Sequence, residues 1–197
     1  MSQSINWESV ANERLRSSGW YLGRRIDTCV VKNRLKLKGF TWFPSAAHHL
    51  QMFGGLRVNV SKHENEVYKV NRDCLYMIGN FSPIPCQPRR WCRTRNGDAT
   101  FLLQVFGVAA TIVGHVRSTT TRDSPHFSDM LSNRIYILED GSFVSCLPEW
   151  EVLTRFPDFD NLLFWLLGSE QSTFAETITD QDESLNLQKV SLGLLDI

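Results

Sequence analysis

An α+β fold is what the sequence predicts, and three observations predict it. Apolar residues recur at helical spacing from Trp7 to Phe53; alternating apolar and polar residues then take over, with a tight-turn signal at Asp140-Gly141. A nearly all-apolar segment, FDNLLFWLLG, is entered at an aspartate and ended at Gly168. Helices first, a mainly antiparallel sheet second and a closing helix last is the expected order. One domain over residues 1–168 holds it, followed by an acidic, loosely ordered tail over 169–197.

The first helix follows from Trp7, Val10, Ala11 and Leu15, spaced by three and four, with Gly19 where a left-handed C-cap belongs. Asp27 is placed to cap a second helix, TCVVKNRLKLK, by accepting backbone N–H bonds, and Gly39 closes it. Pro44 suits the first turn of a third helix, whose stripe of Ala46, Ala47, Leu50 and Phe53 runs up to Gly54-Gly55, a pair that reads as a C-cap and turn.

LRVNV, from Leu56 to Val60, alternates as a half-buried strand does, and VYKV and LYMI read as further strands. Residues 81–100 carry three prolines, four arginines and no apolar periodicity, which predicts a long surface loop. The apolar run from Phe101 to Val116 is expected to form buried strands, since it is too short for a membrane span and contains Gln104 and Thr111. STTTRDSPHFS is a further loop, and RIYILEDGSFVSCL is the clearest local signal of all, two strands joined at Asp140-Gly141. Beyond Ser169 six Asp/Glu face one Lys, although LNLQKVSLGLLDI retains enough apolar residues to dock as a short strand or helix.

The 197 residues are 42% hydrophobic and 21% charged, ordinary for a globular chain with one good-sized core. MSQSINWESV lacks the basic start and apolar run of a signal peptide, and the cysteines number five. Both point to a reducing compartment, the cytoplasm, with free thiols. The zero net charge is unevenly placed. Residues 1–100 hold 16 Lys/Arg against 7 Asp/Glu and residues 101–197 hold 5 against 14, so the halves carry +9 and −9. Two surfaces that attract one another within one fold are the first explanation, ahead of a basic face for an acidic partner.

The connector GWYLGRRID, residues 19–27, poses the choice between an anion-gripping loop and a scaffold hinge. A phosphate loop needs several converging backbone N–H groups after a strand, and only Gly19 and Gly23 are available here, between two helices. The scaffold reading is favoured. In it Trp20 and Tyr21 bury area against the third helix, and Arg24 or Arg25 reaches helix C-terminal carbonyls or Asp27.

Enzyme chemistry finds no complete residue set. A zinc deaminase needs H-x-E with P-C-x-x-C, whereas Pro85-Cys86 is followed by Cys92 and His63-Glu64 are adjacent. His48 and His49 share one helix and point about 100° apart, so they do not face one site. There is no G-x-S-x-G, and no cysteine sits in a catalytic context. The expected protein is therefore not an enzyme and takes neither cofactor nor metal. PRRWCRTR, residues 88–95, is the strongest binding motif, with Arg89, Arg90, Trp91 and Arg93 as candidate partner contacts. Arginine and tryptophan anchor protein interfaces, so a protein partner ranks first. A solvated basic loop packed on the acidic half ranks second. Nucleic acid, gripped by arginine and stacking, ranks third because the whole chain is neutral.

LRSSGWYLGRRID and AAHHLQMFGGLRV, together with IYILEDGSFV and the Leu-rich helix ending in Leu-Leu-Gly, resemble the SUKH superfamily. They resemble especially its bacterial immunity-protein subfamily, which opens G-W-x-P-G-R-x-V-D. The resemblance covers roughly residues 14–60 and 134–168, with Leu22 and Ile26 departing from the pattern and 81–100 read as a divergent insertion. It implies a SUKH-like domain in which Gly19, Trp20, Gly23, Arg24, Asp27, Gly54 and Gly55 are structural. It also implies binding without catalysis. Bacterial members block toxins such as nucleases or deaminases in the producer's cytosol; members in large DNA viruses antagonise host defence, in the host cytoplasm or nucleus.

Overall fold

The computed structural model describes residues 6–60, 74–79, 97–118, 133–146, 152–169 and 176–179. Three helices come first, α1 (Trp7–Ser17), α2 (Cys29–Leu37) and α3 (Pro44–Phe53), followed by β1 (Arg57–Asn59) and β2 (Cys74–Ile78). Then come α4 (Gly97–Phe106), β3 (Ala110–Ser118), β4 (Asn133–Leu138), β5 (Phe143–Cys146), β6 (Val152–Phe156), α5 (Phe159–Leu167) and β7 (Glu176–Thr179). The strands form one seven-stranded sheet in chain order, and every neighbouring pair is antiparallel. The chain is an α+β fold, with N-terminal helices, a sheet and a helix that closes over it.

Local chemistry sets the helix ends. The Asn6 side chain accepts from Ser9 N at 3.1 Å to start α1, and the Asp158 carboxylate accepts from Asn161 N at 2.8 Å to start α5. Pro44 begins α3, where its missing N–H costs nothing. The β4–β5 turn is locked by side chains. Asp140 accepts from Ser142 N at 2.9 Å and pairs with Arg155 of β6 at 2.5 Å, so the turn is tied to the next strand as well.

Alternation along β4 divides the interior in two. Ile135 and Ile137 face a large core built with Leu15 of α1, Leu35 of α2, Leu50 and Phe53 of α3 and Leu162 and Leu163 of α5. Tyr136 and Leu138 face a smaller core beneath α4, with Leu102, Val144, Cys146 and Leu153. β4 and β5 are therefore buried on both faces, and residues 135–138 read as a continuous apolar run. The α2–α3 linker crosses one end of the sheet, where the Thr111 hydroxyl donates to Thr41 O and Phe40 packs near Tyr136 with centroids 6.4 Å apart.

Three expectations are corrected. Residues 101–116 are not strands throughout: α4 takes 97–106 and a strand begins only at Ala110. An apolar run of that length satisfies a buried helix and a buried strand equally, and residues 97–100, read as loop, form the first turn of α4. The tail contains a strand, since Glu176–Thr179 pairs with β6. Composition hid it, because a short edge strand needs few apolar residues. VYKV, STTTRDSPHFS beyond residue 118 and LNLQKVSLGLLDI lie outside the described residues. Among the described residues no helix is long and apolar enough to cross a membrane.

Candidate binding surface

The connector between α1 and α2 is held at both of its ends. At the first, Gly19 N donates to Arg16 O at 2.9 Å and Trp20 N to Leu15 O at 3.0 Å, the paired bonds that finish a helix through a left-handed residue, and Gly19 has φ +92°. The chain thereby turns Trp20 inward, where its ring stacks on Phe53 of α3 at 6.1 Å with 11° between planes. Its Nε1 is buried without an acceptor among the described residues.

At the second end, Arg24 reaches across to α3. One guanidinium nitrogen donates to Met52 O at 2.7 Å and the other to Gly54 O at 2.8 Å. Carbonyls at a helix C-terminus have no intrahelical donor, and the dipole there favours a cation. Ile26 N adds a bond to Gln51 O at 3.0 Å. Asp27 accepts from Cys29 N at 2.8 Å, just ahead of Thr28 at the α2 N-cap. That backbone hydrogen bond, followed by the one from the Cys29 side chain, holds its carboxyl below the usual carboxylate value.

Gly54 and Gly55 play different parts. Gly54 has φ −55°, so no left-handed turn requires it, but a Cβ there would lie 2.4 Å from Leu50 O and 3.0 Å from Ile26 Cδ1. The Leu50 carbonyl at the end of α3 is what demands glycine, and Ile26 of the connector crowds the same space. Gly55 N donates to Ile78 O at 2.7 Å, joining this corner to the end of β2.

Between the two anchors the backbone reverses, with Arg24 N donating to Tyr21 O at 3.1 Å. Tyr21 and Leu22 stand at the tip, 61% and 89% exposed. This corrects the expectation that Tyr21 buries against α3; Trp20 alone of the aromatic pair turns in, because adjacent residues on a tight turn point apart. The tip leads into α2, which buries Leu35 and half-buries Val31, yet exposes Val30 by 61% and Leu37 by 87%. Sequence reasoning missed Val30 and Leu37. The signal was available, since residues 31 and 35 share one helical face and 30 and 37 lie off it.

Arg89, Arg90, Trp91 and Arg93 lie outside the described residues, as do Cys86, Cys92 and His63-Glu64. Among the described residues no group of His, Cys, Asp or Glu is arranged to hold a metal ion. His48 is exposed on α3, while His49 is buried among Phe53, Phe143 and Phe159.

A protein-family model described as SUKH-3 immunity protein matches residues 7–118, more than half of the chain. The span runs from α1 through β3 and takes in residues 61–100, where the sequence alone suggested no likeness; the β4–β5 hairpin and α5 lie beyond it. No curated protein and no solved structure matches.

Proposed function

Because the chain belongs to the SUKH-3 immunity protein family, we propose that it is a non-enzymatic binding module that neutralises an antagonistic protein effector by covering it. The family match over residues 7–118 is the observation that carries this reading. It includes the doubly anchored connector and the α2 surface. An inhibitor of this kind acts stoichiometrically, and its strength comes from a preorganised surface that loses little freedom on binding. Effectors with nuclease or deaminase activity are the proposed class, met in the cytoplasm of the cell that makes the protein.

Arg89, Arg90, Trp91 and Arg93 are proposed as partner contacts on residue chemistry alone. The double variant Arg90→Ala/Trp91→Ala is expected to lose roughly 2 kcal/mol or more of binding with little change in melting temperature. A variant that melts well below the parent would make the segment structural.

The function itself is tested with any toxin domain found in the genes that flank this one. Co-expression is expected to rescue growth of cells producing the effector, and purified chain to abolish its activity at equimolar ratio. Unrescued cells, with the chain abundant and no complex on mixing, would overturn the reading.

A further inference from the structure

Among the described residues five large apolar side chains are exposed, Tyr21, Leu22, Val30, Leu37 and Leu103, and the first four come from the connector and α2 alone. Single exposed apolar residues are ordinary; a cluster drawn from one corner of a fold marks an interaction surface. Val30, Arg34 and Leu37 fall at i, i+4 and i+7, so they share the outer face of α2, with Leu37 about 10 Å along the axis from Val30. Tyr21 and Leu22 stand on the connector that leads into α2, on a tip fixed by the Trp20 stack and the Arg24 clamp.

Charge completes the description. Residues 14–38 contain eight Lys/Arg and a single acid, Asp27, whose carboxylate already accepts from Cys29 N. Arg25, Arg34 and Lys36 are exposed around the apolar residues. A surface of this kind repels a basic partner at its rim and draws an acidic one at long range. Nucleic acid would meet the charge but not the aliphatic side chains, since Leu22, Val30 and Leu37 have no base-stacking capacity.

We propose that the connector tip and the outer face of α2 dock an acidic protein surface, with Tyr21, Leu22, Val30 and Leu37 entering apolar notches and Arg25, Arg34 and Lys36 meeting carboxylates. This rests on the reading of the chain as a protein-binding module and names the chemistry of its partner. The two anchors around the tip make it a preorganised contact, which limits the entropy lost when it is gripped.

A displayed library of random peptides, selected on the immobilised full-length chain, tests this without an identified effector. The selected consensus is expected to be acidic with apolar residues interspersed. A synthetic consensus peptide should bind less tightly as salt rises. Leu22→Asp/Leu37→Asp should weaken it roughly tenfold or more at unchanged melting temperature, whereas Leu103→Asp, on α4, should leave it unaltered. A consensus without acidic residues, or equal binding by the Leu22→Asp/Leu37→Asp variant, would overturn the proposal. So would a single-stranded DNA oligonucleotide that binds the parent and not that variant. Self-association that the same variant abolishes would place a second copy on this face. Peptide capture that appears only after Asp180→Asn, Asp182→Asn and Glu183→Gln would place the chain's own C-terminal segment there. Either would overturn the proposal. The outcome is separate from the rescue assay: rescue with no acidic consensus removes this surface and keeps the function, and the reverse result keeps the surface and removes the effector.

Discussion

His49 lies within α3 with its ring centroid 5.1 Å from Phe53, 5.0 Å from Phe143 and 4.8 Å from Phe159, and its Nε2 is buried without an acceptor among the described residues. Burial, with the neighbouring His48 adding to it, lowers its pKa from 6.5 to about 3. The unfolded chain therefore takes up a proton near pH 6.5 that the folded chain refuses until about pH 3, and within that window the unfolded state holds more protons. Stability from this residue is complete above the unfolded value and falls on acidification, by at most about 1.4 kcal/mol per pH unit. His49→Phe should flatten that dependence, because a phenyl ring suits the aromatic pocket and leaves no unpaired nitrogen. Urea unfolding of parent and variant across the window measures it, and the difference between the two curves isolates His49 from carboxylates common to both. Parallel curves would mean that the folded state accepts the proton.

The connector and the elements it joins show what sequence can and cannot reveal. We propose that Trp20 and Arg24 are architectural. Trp20→Ala is expected to cost about 3 kcal/mol by removing the stack on Phe53. Arg24→Ala should cost about 2 kcal/mol by stripping the α3 carbonyls of a charged donor, and Arg24→Lys should recover little of it, since one ammonium does not reproduce the two-pronged contact with Met52 O and Gly54 O. Tyr21→Ala, at the exposed tip, should leave the melting temperature within a degree or so of the parent. Thermal melts separate these outcomes, and equal losses at Trp20 and Tyr21 would contradict the division between anchor and tip. That division was only half legible in the sequence. Helix spacing and caps marked α1, α2, α3 and α5, and Asp140-Gly141 marked the β4–β5 hairpin, because each of those signals is local. α4 was misread because Phe101, Leu102, Val105 and Phe106 pack under both a helical and an extended reading, and only the sheet decides. β6 gave no alternation because Leu153, Thr154 and Phe156 are buried on its two faces alike. Gly54 was read as a C-cap glycine, but its φ is not left-handed; a Cβ there would collide with the Leu50 carbonyl of its own helix and meet Ile26 Cδ1, and only the second of these contacts is tertiary.

For the molecule as a whole, the meander places β1 at one edge of the sheet and β7 at the other, so the chain's last described strand guards an edge. β7 covers β6 over four residue pairs, from Val152 opposite Thr179 to Arg155 opposite Glu176. β6 is the wrong strand to leave uncovered. Leu153 belongs to the smaller core and Phe156 to the larger, so one strand supports both sides of the sheet and precedes α5, which closes the larger core. Removing β7 opens a row of backbone donors and acceptors beside apolar side chains, the arrangement that templates edge-to-edge pairing. A chain ending at Ser169 should therefore melt below one ending at Thr179, exchange its β6 amides faster and self-associate as concentration rises. The comparison between two truncations matters more than either alone, because it assigns the difference to residues 170–179 and cancels whatever the final stretch contributes. Calorimetry and sedimentation read the two effects independently. If both truncations melt together and stay monomeric, β7 adds nothing that β6 lacks, and the sheet is complete with six strands; if they part, the acidic end of the chain carries a structural element that its composition concealed.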